Sequence, residues 1–165
     1  MLSESARMSS AAEARCRVQA PNSTPRAVTV IALDAASEAV VRRLAGAGWP
    51  HSTFLTAASQ GAAGGGLRDL TGHDRSLVDE VSAADLIVFV AGPGGHAHAA
   101  SIVGPICSLH RVTTTAFVVG VGSLSEHASG SPLSATLAQL RPWSLMVVIA
   151  SGDEYIDDMM SALRA

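Results

Sequence analysis

Short apolar runs recur along the chain and are separated by segments of mixed polarity. The strongest run is Leu86–Val90, and Val28–Leu33 and Val112–Val119 are similarly rich in β-branched residues. Continuous apolar runs of this length are typical of strands that are covered on both faces. Two weaker runs, Ser52–Ala57 and Leu145–Ile149, predict further strands.

Helical patterns separate these strands. After the first strand, the apolar positions Val40, Val41 and Leu44 have helical spacing, and Asp34 or Ser37 can cap the helix. Strands joined by helices pair in parallel through right-handed crossovers, so we expect a three-layer, Rossmann-like α/β domain with a parallel sheet of about five or six strands and helices on both faces. Further helices are predicted over residues 74–83, 96–109, 134–140 and 153–164.

The polarity pattern also divides the chain. Residues 1–25 mix Ser, Ala, Arg and Glu without an apolar period, which predicts a disordered N-terminal arm. The arm lacks the apolar core of a secretory signal. Residues 26–165 are then expected to form a single domain, because the chain of 165 residues suits one hydrophobic core.

Composition narrows the classes of partner. The net charge of −3 gives no positive field for nucleic acid or an anionic membrane, and the apolar runs are too short to span a bilayer. Two unpatterned cysteines fit a cytoplasmic protein. With 48% hydrophobic and only 15% charged residues, a protein partner or a homo-oligomer is expected. The absence of lysine excludes Schiff-base chemistry and a phosphate-loop lysine.

The segment from Ala84 to Val119 resembles the nucleotide-binding domain of the tubulin/FtsZ family. Ala84-Asp85 opens an apolar strand, Ala91-Gly92-Pro93-Gly94-Gly95 follows it, and a helix and a Thr/Val-rich strand come next. The resemblance implies an FtsZ N-terminal-domain-like fold and, as cofactor, GTP or GDP; the residues by themselves imply no cofactor. The family's strand order 3-2-1-4-5-6 differs from the flavodoxin-like 2-1-3-4-5, so sheet order is a useful observation.

Several residues depart from the family's pattern. His96, His98 and Ala100 stand where its signature loop has glycine, and Asp34 places an acid where phosphate charge would be repelled. Only the glycines around Gly65 offer a substitute phosphate-cradling loop. The chain is also expected to lack the second domain that carries the family's hydrolytic acids. The resemblance therefore implies a pseudo-GTPase, with GTP hydrolysis lost.

The loop between the strongest strand and its helix is the candidate site. It follows a strand and precedes a helix, where open α/β sheets bind ligands. Backbone amides and the helix dipole there favour an anion, although a tight turn with exposed histidines explains the same residues. Metal binding is not predicted, because a histidine pair at i, i+2 does not share a helix face. The candidate ligand-binding residues are Gly92, Gly94, Gly95, His96, His98, Gly65 and Asp34.

Three functions follow from these observations. The leading hypothesis is a non-hydrolysing, FtsZ-like binding or regulatory subunit that acts through protein contacts and binds an anionic ligand at Gly94–His98. The alternatives are a protein that binds GTP or another nucleotide, and a small enzyme or enzyme subunit with His96 and His98 as acid and base. No catalytic triad or hydrolytic acid is visible, which favours a non-enzymatic role.

Overall fold

The computed structural model describes residues 25–57, 66–120, 131–152 and 154–163. The strands in these ranges form one seven-stranded sheet in the order β4-β3-β2-β1-β5-β6-β7. No helix within them is both long and apolar enough to cross a bilayer. The strands are β1 (Val28–Ala32), β2 (Ser52–Ala57), β3 (Leu67–Asp69), β4 (Asp74–Arg75), β5 (Leu86–Ala91), β6 (Thr113–Val118) and β7 (Met146–Ile149).

Helices cover both faces of the sheet. Buried side chains of the first and last helices pack on one face, and those of the other helices pack on the opposite face. This arrangement confirms the predicted three-layer, Rossmann-like α/β fold. The helices are α1 (Ala35–Gly46), α2 (Leu77–Ala83), α3 (Ala100–His110), α4 (Pro132–Leu140), which continues into a 3-10 turn (Arg141–Trp143), and α5 (Glu154–Ala162).

The five strands from β2 through β1, β5 and β6 to β7 are parallel to their neighbours. Numbered by themselves, they follow the flavodoxin-like order 2-1-3-4-5. Beside β2, the position of a third strand is occupied by β3, which is antiparallel to β2 and pairs with β4 in a hairpin. If the β3–β4 hairpin is counted as one strand, the sheet order also fits 3-2-1-4-5-6. The likeness to tubulin and FtsZ therefore stays a prediction.

The central strands carry the core because they are covered on both sides. Every residue of β1 and of β5 is buried. Ile31 and Phe89 point to the face of α2, α3 and α4, while Val30 and Val88 point to the face of α1 and α5. These continuous apolar runs therefore behave as the sequence pattern indicated.

Two helix starts were predicted three or four residues too early. The helix expected over residues 74–83 begins only at Leu77, because Asp74 and Arg75 form β4 and Ser76 caps the helix by accepting a hydrogen bond from the Asp79 amide. The helix expected from His96 begins at Ala100. The two histidines of the candidate loop consequently precede α3 rather than form its first turn.

Candidate functional site at the β1–β5 switch point

The crevice for a ligand in this fold lies between the carboxyl ends of β1 and β5. From β1 the chain passes through α1 to β2 on one side, and from β5 it passes through α3 to β6 on the other side. In open α/β sheets, such a reversal of strand order separates two loops and leaves room for a ligand. Asp34 follows β1 here, and the loop Gly92–His98 follows β5.

The carboxylate of Asp34 lies between the two loops of this crevice and is hydrogen-bonded to both. Asp34 is the N-cap of α1, and its Oδ1 accepts a hydrogen bond of 2.8 Å from the Ser37 amide. Its Oδ2 accepts a second bond of 2.8 Å from the Gly92 amide. Ser37 completes a capping box because its Oγ accepts a hydrogen bond of 3.4 Å from the Asp34 amide, and its hydroxyl also donates one of 3.0 Å to the Asp34 carbonyl oxygen. One side chain therefore satisfies both an orphan helix amide and the amide that follows β5.

Gly92 allows the two loops to approach this closely. A Cβ atom at Gly92 would lie 2.8 Å from the Cβ of Ala36 and 3.5 Å from Oδ2 of Asp34. Real Cβ atoms do not come so near to another carbon, so glycine is required by the contact itself. The predicted site residue Gly92 thus lies beside Asp34.

Helix α4 holds the rest of the loop. The Thr136 hydroxyl accepts a hydrogen bond of 2.8 Å from the Gly95 amide and donates one of 3.0 Å to the Gly92 carbonyl oxygen. The Gln139 side chain accepts a bond of 2.7 Å from the Ala97 amide and donates one of 2.9 Å to the Gly95 carbonyl oxygen. The Gly95 amide, which was expected to face an anion, is therefore bonded to a side chain of α4, and so is the Ala97 amide.

Thr136 and Gln139 are the residues that sequence reasoning did not identify. Thr136 is completely buried, and Gln139 lies one helical turn further along the same helix. The available signal was their i, i+3 spacing within a helix whose other inward positions, Leu133, Leu137 and Leu140, are apolar. Polar residues on an apolar helix face require partners, and here the partners are backbone groups of the loop.

His96 and His98 lie on the outside of the loop. Both are exposed. In the part of the chain that the structure describes, the imidazole of His98 has its hydrogen-bond partner in Nε2 of Gln139, at 3.3 Å from either ring nitrogen. Within the described ranges, neither imidazole is paired with a carboxylate, and no three His, Cys, Asp or Glu side chains are grouped as a metal ion requires.

The start of α3 is closed by its own backbone. The amides of Ala100, Ser101 and Ile102 donate to the carbonyl oxygens of the residues three positions before them. Such bonds tighten the first turn and use the amides that an anion would otherwise contact. Gly94 is exposed and lines a cavity of about 290 Å³ with Pro93 and residues 131–133. Gly65 lies outside the described residues.

Cys107 is the only described free thiol, and it is buried on the inner face of α3. Its exposed fraction is 1%. Burial raises the pKa of the Cys107 thiol to about 11, because the charged thiolate is disfavoured away from water. At neutral pH the Cys107 thiol is protonated and packs in the core. The ring of His110, three residues further along α3, lies 3.3 Å from the hydroxyl oxygen of Ser82.

The fold and this crevice define a doubly wound α/β domain whose switch point is filled by its own carboxylate. Comparison with protein-family models and with curated protein sequences gave no match to this chain.

Proposed function

We propose that this chain is a non-hydrolysing binding or regulatory subunit that acts through protein contacts and does not require a nucleotide. The observation that carries the proposal is the Asp34 carboxylate, which accepts hydrogen bonds from the Ser37 and Gly92 amides. In a nucleotide-binding domain of this layout, a phosphate would take such amides. The FtsZ-like interpretation of the domain is part of the same proposal.

Electrostatics supports the exclusion of phosphate. An anion about 4 Å from the Asp34 carboxylate would be repelled by about 1 kcal/mol per unit charge in bulk water and by about 4 kcal/mol at an effective dielectric constant of 20. It would also find the two amides already bonded. The Gly95 and Ala97 amides are bonded to α4, so the loop offers few donors in compensation.

The chemistry of the histidines also favours binding over catalysis. A general base is usually oriented by a second group and placed next to the proton it takes. Among the described residues, the His98 ring has a hydrogen-bond partner in the Gln139 amide group and not in a carboxylate, and His96 is exposed at the loop surface. Both rings are available for contacts with a partner, which suits a protein-binding loop.

A thermal-shift screen tests the proposal. Purified protein is heated with GTP, GDP, ATP, NAD or inorganic phosphate, each with and without Mg²⁺. A ligand at 100 times its dissociation constant adds about 2.7 kcal/mol of stability, so real binding is visible. We expect no shift for the wild-type protein. A reproducible shift with a guanine nucleotide would overturn the proposal and favour a nucleotide-binding protein.

Two carboxylate variants sharpen the screen. Asp34→Ala frees the Ser37 and Gly92 amides, so we expect inorganic phosphate to raise the melting temperature of this variant. Asp74→Ala is the matched control, because it also removes one carboxylate but at an exposed position paired with Arg68. An equal response of both variants to phosphate would contradict a specific role of Asp34.

A further inference from the structure

The two edges of the sheet are built differently. Edge strand β4 has only two residues, Asp74 and Arg75, and both are charged and exposed. Edge strand β7 has four residues, Met146–Ile149, and all of them are apolar. Native sheets protect their edges with short strands and charges, because an open apolar edge is a template for another strand. Only the β4 edge is protected in this way.

The outer backbone groups of β7 face away from β6. The Ala150 amide donates a hydrogen bond of 2.8 Å to the Val118 carbonyl oxygen. Amides alternate in direction along a strand, so Val148 also points towards β6 while Val147 and Ile149 point to the open edge. Among the described residues, β7 pairs with β6 alone. The outer amides are therefore available to a further strand.

Exposed apolar side chains lie at the start of this edge. Leu145 is 83% exposed and Met146 is 44% exposed. No residue from 142 to 152 carries a charge. The charged residues behind the net charge of −3 therefore lie outside this segment. A symmetric copy of the edge can approach it without bringing like charges together.

We propose that β7 pairs with β7 of a second copy of this chain, in antiparallel orientation about a two-fold axis, so that two sheets join into one. A two-fold contact uses the same surface on both subunits, and an antiparallel strand pair fulfils this condition with backbone bonds alone. The inference rests on the proposed function, because it names the partner through which the protein contacts act.

The apolar composition of β7 favours β7 of a second copy as the strand that pairs with it. Val147 and Ile149 pack against one apolar cluster and Val148 packs against the other, so β7 carries apolar side chains on both faces of the sheet. A strand added beside β7 continues both apolar faces only if it is apolar on both sides, and β7 of a second copy is. The sequence outside the described ranges, at residues 1–24, 58–65, 121–130, 153 and 164–165, contains no run of four consecutive apolar residues.

The experiment measures molar mass and hydrogen exchange of the full chain. By light scattering after gel filtration at micromolar concentration, we expect twice the monomer mass of 16.8 kDa. Met146→Lys places a cation on each copy of the edge and should raise the dimer dissociation constant at least about tenfold. The Val147 and Ile149 amides should exchange slowly in the dimer and rapidly in this variant.

Val78→Lys is the matched control. Val78 is 49% exposed, close to the value for Met146, and it lies on α2 instead of the sheet edge. This variant should remain dimeric, and circular dichroism should show both variants folded. A monomeric wild-type protein, a Met146→Lys variant as dimeric as the control, or slow exchange of the two amides in a monomer would overturn the proposal.

The two proposals fail separately. If the wild-type protein is monomeric and nucleotides do not shift its melting temperature, the β7 pairing is overturned and the non-hydrolysing role stands. A dimer that responds to GTP would overturn that role and leave the β7 pairing intact.

Discussion

Gly104 allows α3 to lie directly against the indole ring of Trp143. A Cβ atom at Gly104 would be 2.7 Å from the Cβ atom of Trp143 and from two of its ring carbons. Trp143 belongs to the 3-10 turn before β7, and its carbonyl oxygen accepts a hydrogen bond from the Thr114 hydroxyl. The turn is thus held by β6 and α3 together, and it fixes where β7 starts.

Gly104→Ala should therefore destabilise the protein. Alanine favours a helix over glycine by about 1 kcal/mol, but overpacking a close contact costs about 1–3 kcal/mol. We expect a net loss, measured as a lower urea midpoint. Gly46→Ala is the control: Gly46 is also helical, a Cβ there meets nothing within 4 Å, and the variant should gain stability. Equal behaviour of the two variants would contradict the role of Trp143.

At the scale of elements, α4 acts as a clamp on the loop after β5. Thr136 and Gln139 make four hydrogen bonds to backbone groups of Gly92, Gly95 and Ala97. Gly95 has a φ of +75°, a left-handed conformation that glycine adopts without strain. The loop has its observed shape because a helix more than 40 positions away in the chain supplies its partners.

Thr136→Val tests this clamp. Valine has nearly the same shape but leaves the part-buried Gly95 amide without its acceptor, which costs up to about 1–3 kcal/mol. We expect a lower melting temperature and faster hydrogen exchange at Gly95. Thr113→Val makes the same change at an exposed strand position and should have little effect. Unchanged exchange at Gly95 in the Thr136 variant would show that the hydroxyl does not hold the loop.

The elements show which parts of the fold sequence reasoning reaches. The long apolar runs predicted β1 and β5 within one or two residues of their observed ends. The β3–β4 hairpin escaped prediction because strands of three and two residues are too short to show a period. The start of α3 was placed too early, because Gly94, Gly95 and the histidines give no local signal that separates a turn from a helix.

For the candidate site, the sequence predicted which loops contribute residues but not the hydrogen bonds between them. Parallel strands end at one edge of a sheet, so the strand pattern placed Asp34 and Gly92 at the same edge, but that β1 and β5 are neighbours came from the structure. The direct hydrogen bond between the two residues and the bonds to Thr136 and Gln139 depend on tertiary distances that one sequence does not encode locally. Asp34 was expected both as a helix cap and as a site residue, and in the structure one carboxylate fills both positions.

At the scale of the whole molecule, the buried thiol of Cys107 lowers the stability of the fold when the pH becomes alkaline. Burial raises its pKa from 9.0 to about 11, so the folded thiol keeps its proton while the unfolded thiol loses it. The unfolded state then binds fewer protons, and stability falls as the pH rises from about 9 towards 11, at up to about 1.4 kcal/mol per pH unit.

Urea unfolding at a series of pH values measures this effect. In Cys107→Ala the fall above pH 9 should be smaller than in the wild-type protein, because the titrating group is gone. The variant is less stable overall from lost packing, so the slope with pH is compared, not the absolute value. Identical slopes would show that other groups cause the alkaline loss.

The bond between Asp34 and Gly92 joins residues 58 positions apart in the chain. It links the half of the sheet that winds towards β2 with the half that winds towards β7. The Gly92 amide proton is consequently a single nuclear magnetic resonance reporter of whether the two halves are docked. During refolding its protection marks the moment at which the open crevice closes, independently of when each half acquires its own helices.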